Sequence, residues 1–144
     1  MKLRHRALVL GALIAVGLAA VVAWADTPNY LYFFTADGDA FKAYLDLNNQ
    51  STDGAGYKLV NTKLDTFSDA FRGWIKKNFP GGETAEYAVD PYSIDCADKT
   101  VGEHRIVFYD SNHFPLADYD FGGKMAPPIA GTMKGDLMKK VCNF

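Results

Sequence analysis

The sequence has 144 residues, with 15 Lys and Arg against 17 Asp and Glu and two cysteines. A net charge of −2 gives no basic footprint for nucleic acid. The length allows one well-developed core rather than two.

Lys2, Arg4, His5 and Arg6 precede a run from Ala7 to Ala25 in which every residue is apolar or glycine, ending in Ala23-Trp24-Ala25. A basic start, an apolar stretch and an A-x-A ending form a secretory signal. Residues 1–25 therefore read as a signal peptide cleaved before Asp26, and residues 26–144 as a single exported domain. The apolar run approaches the roughly 20 residues that cross a bilayer, so membrane contact is expected only if this segment stays uncleaved as an anchor. Losing Lys2, Arg4 and Arg6 takes the charge from −2 to −5.

From Asn29 to Thr35 the chain is dense in aromatics, and Asp37-Gly38-Asp39 separates it from an alternating run at Phe41–Leu47, a hairpin signal. Phe41, Ala43, Leu45 and Leu47 share one face of the second strand and Lys42, Tyr44 and Asp46 the other, as in a sheet buried on one side. Residues 48–56 are turn chemistry throughout, and a third strand is expected over Tyr57–Leu64. Between Leu64 and Phe79 two periods compete. Leu64, Phe67, Phe71, Trp74 and Ile75 recur at helical spacing, with Asp65 or Thr66 able to cap. Phe71, Gly73, Ile75 and Phe79 also fall on one side of an extended segment, and Gly73 weakens a helix interior.

Tyr87-Ala88-Val89 leads into Asp90-Pro91, where proline forces an extended or turn conformation on its neighbour. Tyr92–Lys99 and His104–Ser111 read as paired strands joined by a loop around Val101-Gly102, and Leu116–Phe121 as a last strand. Thr132 is placed to cap a closing helix with Met133, Leu137, Met138, Val141 and Cys142 as its apolar stripe. Lys134, Lys139 and Lys140 lie outside that stripe. Two cysteines in an exported chain more often form a disulfide than a metal pair or a nucleophile. Cys96 and Cys142 are therefore expected to be bonded, tying the helix to the sheet.

The order Ile94-Asp95-Cys96, Tyr109-Asp110-Ser111, Pro127-Pro128-Ile129-Ala130-Gly131-Thr132 and Cys142 resembles the surface-adhesin E family of exported bacterial proteins. Tyr44-Leu45-Asp46-Leu47 and Trp74-Ile75-Lys76 are similar to its earlier strand motifs. The resemblance implies an α+β fold, a curved antiparallel β-sheet with a C-terminal α-helix packed on it, and it favours a strand over Ala70–Phe79. It also implies adhesion to host matrix. Met125, in place of a frequent tryptophan, Thr132 in place of serine, and the lack of a lipid-anchoring cysteine depart from the pattern.

The remaining residues suggest no catalytic set. Asp110, Ser111 and His113 crowd into one turn, where a triad needs a base held from across the fold. Asp37, Asp39, Asp118 and Asp120 lack the frame of a calcium loop. No metal and no cofactor are expected. Tyr30, Tyr32 and Phe34 alternate with Leu31 and Phe33, so the first strand is apolar on both faces. Either another layer or a second copy in a homodimer covers it, or Tyr30, Tyr32 and Phe34 contact a ligand. The expectation is an exported, non-enzymatic binding protein of the envelope or cell surface, whose partner is a protein or matrix macromolecule. The alternative is a periplasmic accessory or inhibitor that binds an envelope partner.

Overall fold

The computed structural model describes residues 29–144; the expected signal peptide over residues 1–25 and its cleavage point lie outside them. The described strands are β1 (Tyr30–Thr35), β2 (Lys42–Asp46), β3 (Ser51–Thr52), β4 (Lys58–Asp65), β5 (Tyr87–Asp95), β6 (Thr100–Glu103), β7 (Arg105–Tyr109) and β8 (Pro115–Asp120). Two helices accompany them, α1 (Asp69–Asn78) and α2 (Met133–Cys142). The strands form one sheet along the path β1-β2-β4-β5-β7-β8, with β3 beside β4 and β6 beside β5. Every pairing is antiparallel. This is the α+β architecture expected from the sequence, with α2 packed on the sheet.

Period-two alternation decides which side chains meet. Ala43 and Leu45 of β2, Val60 and Leu64 of β4, Ala88, Tyr92 and Ile94 of β5, and Ile106 and Phe108 of β7 are all buried on one face. Burying an aliphatic or aromatic side chain of this size contributes about 1.5–3 kcal/mol, so this inner face holds the fold together. It carries two cores. One gathers Ala43, Leu64, Ile75, Ala88, Ile106 and Phe108 under α1. The other gathers Leu45, Val60, Tyr92, Ile94, Leu137 and Val141 under α2.

Residues 69–78 form a helix, not the strand that the resemblance favoured for Ala70–Phe79. Spacing by four puts Phe71 and Ile75 along one line of the helix, Phe67 packs on Phe71 at 5.4 Å from just before the cap, and Ile75 is fully buried. Ser68, rather than Asp65 or Thr66, caps the helix, its hydroxyl accepting from the Phe71 N–H at 3.2 Å. Gly73 lies on the exposed side with open space around it, so its cost is only the backbone entropy of about 0.5–1 kcal/mol. Asp69 in the first turn and Lys76 and Lys77 in the last suit the helix dipole.

On β5 and β6 one open choice is decided and one expectation corrected. Of the extended and turn conformations open to Asp90-Pro91 the chain adopts the extended one: β5 runs unbroken from Tyr87 to Asp95. The Pro91 carbonyl accepts from the His104 N–H at 2.9 Å. A strand residue directs its N and its C=O to the same side, so the N–H that Pro91 lacks would have pointed at the seam between β6 and β7, and the pairing with β4 loses nothing. Val101-Gly102 lies inside β6 instead of forming the loop, and the reversal occurs at residues 96–99.

At that seam the register slips. Tyr92 pairs with Glu103 and Val89 with Val107, so the β6–β7 side carries one residue more than the β5 side. This is a β-bulge around His104. It changes the phase of the alternation, so Glu103 faces inward on one side of the bulge and Ile106 on the other.

Helix α2 begins where Thr132 accepts from the Gly135 N–H at 3.4 Å and ends in a left-handed Asn143 whose N–H returns to the Lys139 carbonyl. Lys58 of β4 donates to the Val141 carbonyl at 3.0 Å, a cation at the negative end of the helix. The expected disulfide joins Cys96 to Cys142 with the Cα atoms 5.6 Å apart. Their sequence separation of 46 gives about 4 kcal/mol in the chain-entropy account, a large share of the 5–15 kcal/mol typical of a domain.

Candidate binding sites on the two faces of the sheet

The two inner cores leave a cleft between them. Its volume is about 530 Å³. Phe71, Trp74 and Phe79 wall it on the α1 side, Ile129 and Met133 on the α2 side, and Leu64, Ile106 and Phe108 form apolar floor. The aromatic wall is continuous: Phe71 stacks on Trp74 at 5.4 Å, Trp74 meets Phe79 edge-on at 5.4 Å, and Phe79 lies 5.4 Å from Phe108.

Polar groups converge on that apolar floor. Asp90 stands in the inward series of β5 between Ala88 and Tyr92, a position where alternation demands an apolar residue, and it is 2% exposed. Its Oδ2 accepts from the Tyr92 hydroxyl. Its Oδ1 receives no N–H or O–H donor. The Glu103 side chain, turned inward by the phase of β6, lies within hydrogen-bonding reach of Asp90, and Lys134 of α2 forms an ion pair with Glu103. Two carboxyl groups within hydrogen-bonding reach favour sharing one proton, because two neighbouring anions repel. Burial first, then the charge of Glu103, pushes the Asp90 carboxyl well above its usual range. Burial and then Asp90 and Glu103 push the Tyr92 phenol up likewise. With one proton on the pair, the Lys134 ammonium neutralises what remains.

Chemically, this arrangement can hold a proton and present it beside an apolar cavity. Among the described residues no group of three or more His, Cys, Asp or Glu is placed to hold a metal ion.

The opposite, outer face has no helix over it. Tyr30, Tyr32, Tyr44, Tyr87 and Tyr109 share it, along with Lys63. Tyr32 meets Tyr44 edge-on at 5.8 Å, and Tyr87 stacks on Tyr109 at 5.1 Å. Between these pairs the Lys63 ammonium lies 5.3 Å from the Tyr30 ring and 5.5 Å from that of Tyr87. Burial raises the phenols of Tyr30, Tyr44 and Tyr87 somewhat, so these three present neutral hydroxyls at neutral pH.

The expected contact set Tyr30, Tyr32 and Phe34 is split by the structure. Tyr30 and Tyr32 are 37% and 50% exposed on the outer face. The β1–β2 register shifts between Tyr32 and Phe34, which brings Phe34 opposite inward-facing Ala43 and packs it on the α1 core. Of the other residues weighed in the sequence, Asp110, His113, Asp118 and Asp120 have local partners. The Asp110 carboxylate accepts from the N–H groups of Asn112 and Phe114 at 2.8 and 2.9 Å, and His113 is hydrogen-bonded to the Tyr87 hydroxyl at 2.8 Å. Asp118 and Asp120 flank Arg105 at 3.3 and 3.4 Å.

Asp90, Tyr92, Glu103 and Lys134 escape a reading by motif. The signal that finds the first two is positional: with Pro91 placed inside a strand, Ala88, Asp90, Tyr92 and Ile94 form one series with a carboxylate among apolar residues. No family model, no curated protein and no solved structure matches the chain.

Proposed function

We propose that the chain is an exported, non-enzymatic binding protein of the bacterial envelope or cell surface, and that it contacts a protein partner through the outer face of its sheet. The observation that carries this reading is the row of five tyrosines on a sheet face that both helices leave uncovered. Tyrosine offers a large rigid surface with a polar tip and loses little conformational entropy on contact. The disulfide agrees with an oxidising compartment, and the apolar, A-x-A-ending start of the sequence supports export. The short motifs resembling the surface-adhesin E family support matrix proteins as the partner class.

The test is binding to immobilised extracellular-matrix proteins. Tyr44→Ala with Tyr109→Ala is expected to weaken the interaction at least tenfold while the far-ultraviolet spectrum stays unchanged; undiminished binding by the double variant would remove the outer face from the reading. Protease treatment of intact cells separates the two locations. Digestion of the chain supports surface contact, and protection favours the alternative, a periplasmic accessory or inhibitor docking on an envelope partner. Hydrolytic activity that disappears with Asp90→Asn would replace the binding protein by an enzyme.

A further inference from the structure

We propose that the cleft between α1 and α2 is a separate binding site for a small, uncharged amphiphile, an apolar chain or ring system ending in a hydroxyl group that seats on Asp90 and Glu103. The cavity volume of about 530 Å³ falls within the roughly 300–1,000 Å³ of small-molecule sites, and its lining has their character, mostly apolar with a few converging polar groups.

The chemistry of the head group follows from what the floor lacks. Asp90 is buried, lines the cavity and has an oxygen that no N–H or O–H group reaches. Beside it, Glu103 can share a proton with it. A hydroxyl meets that lack by donating to the open carboxyl oxygen, while the shared proton stays between Asp90 and Glu103. The charge of the head group follows from the neighbours. Lys134 pairs with Glu103, and Lys124 also lines the cavity, so an ammonium head would meet two cations. A carboxylate head would meet the acid pair. With a single proton between Asp90 and Glu103, the Asp90–Glu103–Lys134 set is neutral, and an uncharged guest leaves that balance intact. The body of the guest lies against Phe71, Trp74, Phe79 and Met133. This site is on the opposite side of the sheet from the proposed protein contact, so the two are independent.

Isothermal titration calorimetry of the full chain tests the assignment with four probes that share one apolar chain: 1-decanol, its methyl ether, decylammonium and decanoate. The ether keeps the body and loses the donor. 1-Decanol is expected to bind at least about tenfold tighter than the ether, in line with the cost of an unsatisfied buried acceptor, and tighter than either ion. Met133→Trp, which fills the cavity from α2, is expected to abolish decanol binding. Ile129→Trp at the mouth, where Ile129 is 76% exposed, gives the same readout should the first variant fail to fold. Equal affinity for alcohol and ether would overturn the role of the acid pair. Tightest binding of decylammonium or decanoate would overturn the uncharged class. Failure of all four to bind would overturn the site, as would a change of oligomeric state in Ile129→Trp, which would mean that a second copy occupies the cleft.

Discussion

The two faces of the sheet come from the same strands and differ in what one residue's shift does to the chemistry. Inward positions meet two helices and are closed off, so a carboxylate there is stripped of water and favours sharing a proton. Outward positions have no helix over them, and there Lys63 pairs with Asp65 at 3.2 Å and lies between tyrosine rings. The inner face therefore carries most of the stability and the cleft between the two helices. The outer face carries broad amphipathic surface whose loss the fold can tolerate. Stability and contact chemistry are thus separable by mutation, which is what makes the contrast testable.

The largest effect is expected from removing the covalent tie. Cys96→Ser with Cys142→Ser should destabilise the chain by about 4 kcal/mol, read as a fall in the denaturation midpoint. No change would mean that the α2 core and the Lys58 contact hold the helix by themselves. Next comes Leu137→Ala in that same core, where the side chain is fully buried. A loss of about 3 kcal/mol is expected from transfer and cavity together, against less than about 1 kcal/mol for Tyr109→Ala on the outer face. Similar values for both would erase the distinction between the faces.

A third prediction concerns pH. The Asp90 carboxyl is held above its ordinary value in the folded chain, by burial first and Glu103 second, and the unfolded chain has neither influence. The folded state binds that proton more tightly. The stability it contributes is complete below about pH 4, where the unfolded group is also protonated, and is lost as pH rises through the raised folded value. Asp90→Asn, which still accepts from Tyr92, is expected to flatten this decline in melting temperature against pH; an unaltered profile would assign the decline to other groups. The smallest effect is Gly73→Ala. Nothing lies within 4 Å of the added methyl group, so α1 should gain about 0.5–1 kcal/mol, measured by chemical denaturation, and a loss would show that the helix needs the glycine.

Much of the scaffold can be read from local pattern. The alternation in Phe41–Leu47, the Asp37-Gly38-Asp39 turn, the Thr132 cap and the pairing of Cys96 with Cys142 each depend on chemistry visible within a few residues. The errors and open choices arise where a local signal is overruled from a distance. Gly73 argues against a helix only if its side matters for packing, and the structure turns it to solvent while Phe67, Phe71 and Ile75 meet the sheet. Pro91 argues against a strand only if its missing N–H has a partner to lose, and it faces a seam. The cleft was hidden for the same reason. Asp90 becomes conspicuous once β5 is continuous, and Glu103 meets it only through the pairing of β6 with β5. Lys134 reaches that pair from α2, far along the sequence, a contact that no spacing along the chain announces.

The bulge at His104 means that chain length, at one point, governs what the interior contains. Excising that residue would bring the two halves of the β6–β7 edge into a common rhythm. Glu103 and Ile106 could then no longer both point at the helices: either the acid would swing out to water and leave Asp90 solitary, or the β7 aliphatics would. A deletion there should injure the protein more than any side-chain replacement at the same position, because it rotates a whole strand instead of altering one group.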